Sequence, residues 1–236
     1  HLTKVITGMA MEQFERGQTS VMYEDDKVTS MDRALGTHLS GEMTRRRAAH
    51  SLNGVATNLV FHEGTIPGNG LAAFNVKGVT VNVEGGAQDG VGKSSLGGKV
   101  SILKGMNWQG GRVDGSVGKS LLYGAQAGTF YVQGDADSRA CIRLSGADVV
   151  LGGRLKGPVD DDLGNMAGKA NLKGFAFEYM TLGRAVVLGD PGPWMCAGMT
   201  GGVVYVKLTP EMGFDRAALH RRIARGAKVA IADLDP

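Results

Sequence analysis

Two cysteines, six prolines and an aromatic content of 6% in 236 residues set the first limits on this chain. Cys141 and Cys196 lie far apart with no Cys-x-x-Cys spacing, so neither a metal knuckle nor a redox pair is written here. They read as free, buried thiols, which favours a cytosolic compartment. The low proline count and the absence of a glycine at every third position exclude Pro-rich disordered and collagen-like chains. With so few aromatics, a core has to be built mainly from Val, Leu, Ile, Met and Ala. No apolar run approaches the roughly 18 residues of a membrane-spanning helix, and no signal peptide is visible. The first residue is His1 rather than Met, which leaves the true N-terminus open. The net charge of +3 is spread along the chain and too weak to point to nucleic acid. The expectation is a cytoplasmic protein with neither nucleic acid nor membrane as a partner.

What the chain has is glycine: 38 of 236 residues, about twice the usual share of about 7%. The glycines punctuate short apolar strands at Leu59–Phe61, Val79–Val83, Val100–Leu103, Phe130–Val132, Val149–Leu151, Ala185–Leu188 and Val203–Val206. Val79, Val81 and Val83 share one face, because successive strand side chains point to opposite sides. Pairs such as Gly85-Gly86, Gly97-Gly98, Gly152-Gly153 and Gly201-Gly202 supply corners that need positive φ. Short strands with glycine corners, and few Asn-Gly or Asp-Gly hairpin turns, fit a parallel β-helix better than a sandwich. The predicted fold is all-β, a right-handed parallel β-helix over residues 55–208. A non-repetitive arm (1–54) precedes it, and a C-terminal helix and strand (209–236) follow as a cap over its open edge.

Within the arm, Leu2–Ile6 reads as a strand, Met9–Arg16 as a short helix and residues 17–30 as an extended arm. A second helix is predicted over 41–49, with Ser40 as its N-cap and Glu42 and Arg46 as an i,i+4 pair. The run Arg45-Arg46-Arg47 reads as a solvated helix face or a docking point for an acidic partner. Residues 105–116 and 154–173 read as loops thrown out from the repeats. Near the end, Asp215 is placed to cap a helix running to about Arg225, with Phe214 and Leu219 as its hydrophobic staple and Gly226 at its close. Lys228–Leu234 alternates and is read as a last strand.

Each motif that suggests chemistry has a plainer reading. Val91-Gly92-Lys93-Ser94 and Val117-Gly118-Lys119-Ser120 repeat the end of a phosphate-binding loop. The first glycine of that motif is replaced by Ala87 and Val113, and no helix is predicted to follow, so the duplication reads as a structural repeat. Gly68-Asn69-Gly70 begins a dinucleotide fingerprint that Ala73 breaks. Asp160-Asp161-Asp162 is a carboxylate run that reads as a solvated loop. His1, His38, His50, His62 and His220 show no metal-ligand spacing, and no Gly-x-Ser-x-Gly elbow is present. No catalytic, cofactor-binding or metal-binding residue is assigned in this chain.

A set of segments in fixed order carries a family resemblance. They are Asp32–Glu42, Ala73–Thr80, Val91-Gly92-Lys93 with Gly97-Gly98, Gly124–Gly128 through Gly134, Ser145-Gly146-Ala147, Glu178–Thr181 and Ala197–Gly202. Together they resemble the C-terminal Gly-rich β-helix domain of the glutamate synthase large subunit, over about Asp32 to Val206. Leu182 stands where the family's pattern has glycine, Gly68–Leu71 departs from it, and the loop at 154–173 looks inserted. The resemblance implies a right-handed parallel β-helix without catalytic residues of its own, serving as a stand-alone subunit or an excised domain. It implies FMN and an iron–sulfur cluster in partner subunits and none in this chain. The partners so implied are a glutaminase (amidotransferase) subunit and an FMN-binding synthase subunit, which it braces for ammonia transfer. The alternatives are the β-helix subunit of a formylmethanofuran dehydrogenase or formyltransferase-type complex, and a free-standing scaffold module.

Overall fold

The computed structural model describes residues 1–49, 52–161 and 164–234. Its central element is a sheet of eight strands, all parallel: β1 (Ser20–Asp25), β2 (Ala56–Thr65), β3 (Val79–Gly85), β4 (Leu96–Leu103), β7 (Ala127–Val132), β8 (Ser145–Leu151), β9 (Leu182–Val187) and β10 (Val203–Val206). They lie side by side in chain order. Among the described residues two further strands, β5 (Gly105–Met106) and β6 (Arg112–Val113), form a small antiparallel hairpin inside the first of the expected loops.

The alternation in the sequence becomes two buried rows. Leu59, Val81, Val100, Phe130, Val149 and Ala185 stand in register across the sheet, as do Phe61, Val83, Ile102, Val132, Leu151 and Val187. All twelve are buried. The opposite face carries polar pairs. Asn82 donates to Asn58 at 3.0 Å, and Arg184 grips Asp148 from the next strand with bonds of 2.9 and 2.6 Å.

Among the described residues three α-helices flank the sheet: α1 (Leu2–Glu15), α2 (Thr37–Ala48) and α3 (Arg216–Arg222). They correct the expected all-β β-helix: the chain is an α/β arrangement of one eight-stranded parallel sheet with flanking helices. The physical reason lies first in α1. Leu2–Ile6, read as a strand, is the start of this helix. Its buried residues Ile6, Thr7, Ala10, Met11 and Phe14 recur at helical spacing. The helix packs against α2 beside β1. Strand β1 itself falls in the segment read as an extended arm, and pairs along its whole length with β2. Helix α2 is capped four residues before the predicted Ser40, by left-handed Gly36, and Ser40 lies buried inside it. Residues 228–234 form no strand.

Parallel neighbours usually need a crossover helix. Here the connections are stacked turns built on alternating backbone conformation. In residues 70–74, Gly70, Ala72 and Phe74 have φ of 79°, 53° and 57°, and the residues between them do not. The same alternation recurs at 90/92/94, 120/122/124, 139/141/143, 175/177/179 and 194/196/198. From Gly70 to Tyr179 each left-handed residue of these turns donates its N–H to the turn on one side or the other. Gly92 bonds back to Leu71 O (2.9 Å), and Ser94 bonds forward to Tyr123 O (2.8 Å). A left-handed non-glycine residue costs about 1–2 kcal/mol. At the middle position that strain is offset by burial, since Ala72, Leu122, Cys141, Phe177 and Cys196 all point into the core. The outer positions have no such return.

Candidate functional site

A buried polar cluster lies where the end of α3 meets the segments that hold Asp161 and Asp190. Asp215 caps the helix as its sequence position predicts, its carboxylate accepting from Ala218 N at 2.8 Å. Phe214 and Leu219 are both buried, as a hydrophobic staple requires. The helix ends sooner than expected, at Arg222, whose side chain is 1% exposed.

Every donor of that guanidinium has a partner. Nε and Nη2 donate to the two oxygens of Asp190 at 3.0 and 2.8 Å. Nη2 and Nη1 donate to the two oxygens of Asp161 at 2.8 and 2.5 Å, and Nη1 also reaches Ala218 O at 3.1 Å. An arginine has five N–H groups, so the set is complete. The Phe214 ring lies beneath it, 5.3 Å away. Burial alone would lower the Arg222 pKa, but the two carboxylates outweigh burial and hold it above its ordinary value. Burial likewise raises Asp161, and hydrogen bonds from Arg222 and Arg221 reverse this to a net lowering. Asn171 extends the network, accepting from Asp190 N at 2.9 Å and donating to Asp135 at 2.7 Å. With its donors used up, Arg222 is a clamp between chain segments and offers nothing to a substrate anion.

Beside this clamp, between β10 and residues 228–234, a cleft of about 610 Å³ opens. Its lining is largely apolar, including Met195, Met199, Leu208, Leu219, Ile223 and Ile231. Cys196 also lines it, but burial pushes this thiol up to about 12, so it is no nucleophile near neutrality.

The motifs weighed from sequence are placed as follows. The two Val-Gly-Lys-Ser copies occupy different steps of their turns. Gly92 and Ser94 are equivalent to Leu122 and Gly124, and Ser120 is equivalent to Gly90. The identity is therefore not a structural repeat, and the backbone N–H groups point at protein acceptors. Gly118 N bonds Ala87 O at 3.1 Å, Lys119 N bonds an Asp89 carboxylate oxygen at 2.8 Å and Ser120 N bonds Ser138 O at 3.0 Å. Gly68 lies against Ser30 and Arg33, where any side chain would collide. Of the aspartate run, Asp160 is exposed, Asp161 belongs to the clamp and Asp162 lies outside the described residues. His1 precedes α1, His38 and His220 sit on helices, and His62 lies on the sheet surface beside Glu24 and Glu84. His50 is outside the described residues. Among the described residues no three His, Cys, Asp or Glu side chains gather as a metal site. Cys141 and Cys196 are free and buried. The three arginines are turned to internal use: Arg45 to Glu42, Arg46 to Glu15, and Arg47 to the carbonyls of Lys77, Val55 and Leu52.

Sequence reasoning missed the Asp161–Arg222–Asp190 clamp, whose members are separated by 61 and 32 residues. It also missed a row of exposed aromatics at Phe175, Tyr179 and Trp194, whose one available signal was alternate spacing in Phe175-Ala176-Phe177-Glu178-Tyr179.

A family model, the GXGXG motif, matches residues 4–160. A glycine at every second residue is what the alternating left-handed turns call for, and Gly90 and Gly92 supply it. A ferredoxin-dependent glutamate synthase of Cyanidium caldarium is 31% identical over 217 residues, 88% of this chain and 12% of its own length. The glutamate synthase [NADPH] large chain of Bacillus subtilis is 30% identical over 191 residues, 80% of this chain and 11% of that protein. The glutamate synthase [NADH] of Schizosaccharomyces pombe is 33% identical over 198 residues, covering 81% and 8%. The chain thus spans about a tenth of the length of these relatives. Among the described residues no helix is long and apolar enough to cross a membrane. With the motif model covering most of its length and its stacked turns built on that alternation, this chain belongs to the GXGXG motif family.

Proposed function

We propose that the chain serves a glutamate-synthase-related role as a non-catalytic body. It holds a glutaminase part and an FMN- and iron–sulfur-bearing synthase part in position for ammonia transfer. The observation that carries this reading is the unbroken parallel order of the strands from β1 to β10. Each inner strand is bonded on both sides, over two continuous buried rows, which suits a stiff spacer between two sites. The residue inventory agrees. An iron–sulfur cluster of the common type takes four thiolates, and this chain has two cysteines, both buried. The turns that suggest a phosphate cradle spend their N–H groups on neighbouring turns.

The test is biochemical. The purified chain is expected to show neither a flavin spectrum nor glutamine hydrolysis, and either one overturns the reading. Native mass spectrometry of the protein from its source is expected to find it in contact with glutaminase and flavoprotein polypeptide. A lone monomer or homo-oligomer would reject the bracing role.

A further inference from the structure

The outer steps of the stacked turns present an anomaly. In several turns glycine occupies them, as at Gly70, Gly90, Gly124 and Gly198. In the turns at 139–143, 175–179 and 194–198 the equivalent residues are Arg139, Arg143, Phe175, Tyr179 and Trp194, with φ between 53° and 61°. These are large side chains in a backbone conformation that bulky residues rarely adopt. Burial does not explain them: Phe175, Tyr179 and Trp194 are 37%, 52% and 50% exposed. They are nevertheless organised. Phe175 stacks on Trp194 with ring centroids 4.9 Å apart, and Arg143 lies 5.6 Å over the Tyr179 ring. The Tyr179 ring in turn lies across Gly198, where a Cβ would stand 2.6 Å from it. Strain held at exposed positions points to a use outside the chain's own core.

We infer that this face is a docking surface for an acidic protein surface. The inference rests on the bracing reading above and names the face that does it. Phe, Tyr, Trp and Arg are the residues enriched at the centres of protein interfaces. The charge is cationic and largely unneutralised. Among the described residues Arg143 joins no ion pair, and Arg139 has only a long 3.9 Å approach to Glu178. Single-stranded nucleic acid also favours arginine and aromatic rings. The net charge of +3 spread along the chain is too small for a polyphosphate-binding stripe, which favours a protein partner.

The experiment replaces Phe175, Tyr179 and Trp194 together by glycine, which relieves the backbone instead of straining it further. The whole chain and this variant are melted, then titrated against the purified glutaminase and synthase polypeptides of the same source and against a single-stranded oligothymidine. The variant is expected to melt within about 2 °C of the wild type or above it. It is expected to bind one of the two polypeptides at least about tenfold more weakly, with wild-type affinity falling as salt is added. Arg143→Glu, with the aromatics kept, is expected to weaken the same binding. Melting lowered by more than about 5 °C would mean that the aromatics serve the chain's own stability, and would overturn the proposal. Unchanged affinity, salt-independent affinity, or a loss confined to oligothymidine would overturn it as well. If wild type and variants bind equally, this face is wrong and the bracing role stands. If the wild type binds neither polypeptide, both fall.

Discussion

Arg222 and Asp190 form a fully buried, two-bond ion pair across 32 residues of chain, with Asp161 closing the guanidinium from its other edge. Removing one partner of such a set strands the others without water. Arg222→Ala leaves the buried Asp190 carboxylate without its cation and Asp161 with Arg221 alone, and is expected to destabilise the chain by about 3–5 kcal/mol in urea unfolding. A loss below about 1 kcal/mol would mean that the clamp is dispensable.

Asp161 sets an acid limit. The folded-state pKa of Asp161 lies below its ordinary 3.8, so its contribution is present in full above that value. It is lost as the pH falls through the lower folded value. Stability measured from pH 6 downward is expected to fall more gently in Asp161→Asn than in the wild type. Parallel curves would reject this assignment.

Two glycines separate strain from collision. Gly98 has φ of 77°, and a Cβ there would stand 2.6 Å from the Val76 carbonyl. Gly110 also has φ of 77° and nothing within 4 Å. Gly110→Ala is expected to cost about 1 kcal/mol and Gly98→Ala at least about 2 kcal/mol more. Equal losses would show that the backbone at Gly98 yields.

The thiols are expected to be silent. Burial raises both Cys141 and Cys196, the latter to about 12. At pH 8 neither is expected to react with a disulfide reagent until denaturant is added, whereupon both react. Because their folded values are raised, their contribution is complete below the ordinary 9.0 and lost as the pH rises toward 12. Rapid labelling of the native chain would contradict this burial.

Truncation after Thr209 removes α3 and Arg222, and bares the apolar cleft beside β10. The shortened chain is expected to aggregate on size-exclusion chromatography with light scattering. A monomer of unchanged melting temperature would show that the C-terminal segment covers nothing.

Much of this was legible in the residues themselves. Seven strands were marked by apolar alternation, because a strand with one buried face writes its period into the sequence. Asp215 announced its cap for a similar reason: the acceptor and the N–H it satisfies are three residues apart. Strand β1 escaped notice because residue type does not follow its alternating burial: apolar Met22 faces out and polar Asp25 faces in, and only Val21 is fully buried. The N-terminal helix was taken in part for a strand. It is helical because burial against α2 and the sheet edge selects residues at helical spacing.

What the sequence determined by itself was local: which residues face inward, where turns need left-handed backbone, and where a short helix is capped. The tertiary structure decided the rest. It set helices against a parallel sheet, moved the two Val-Gly-Lys-Ser copies out of register, joined Arg222 to Asp161 and Asp190, and gathered Phe175, Tyr179 and Trp194 on one exposed face. The physical reason is distance along the chain. Periodicity and capping act over a few residues and leave a pattern there. Ion pairs and stacked turns join residues some 20 to 60 positions apart, and only the folded chain chooses those partners.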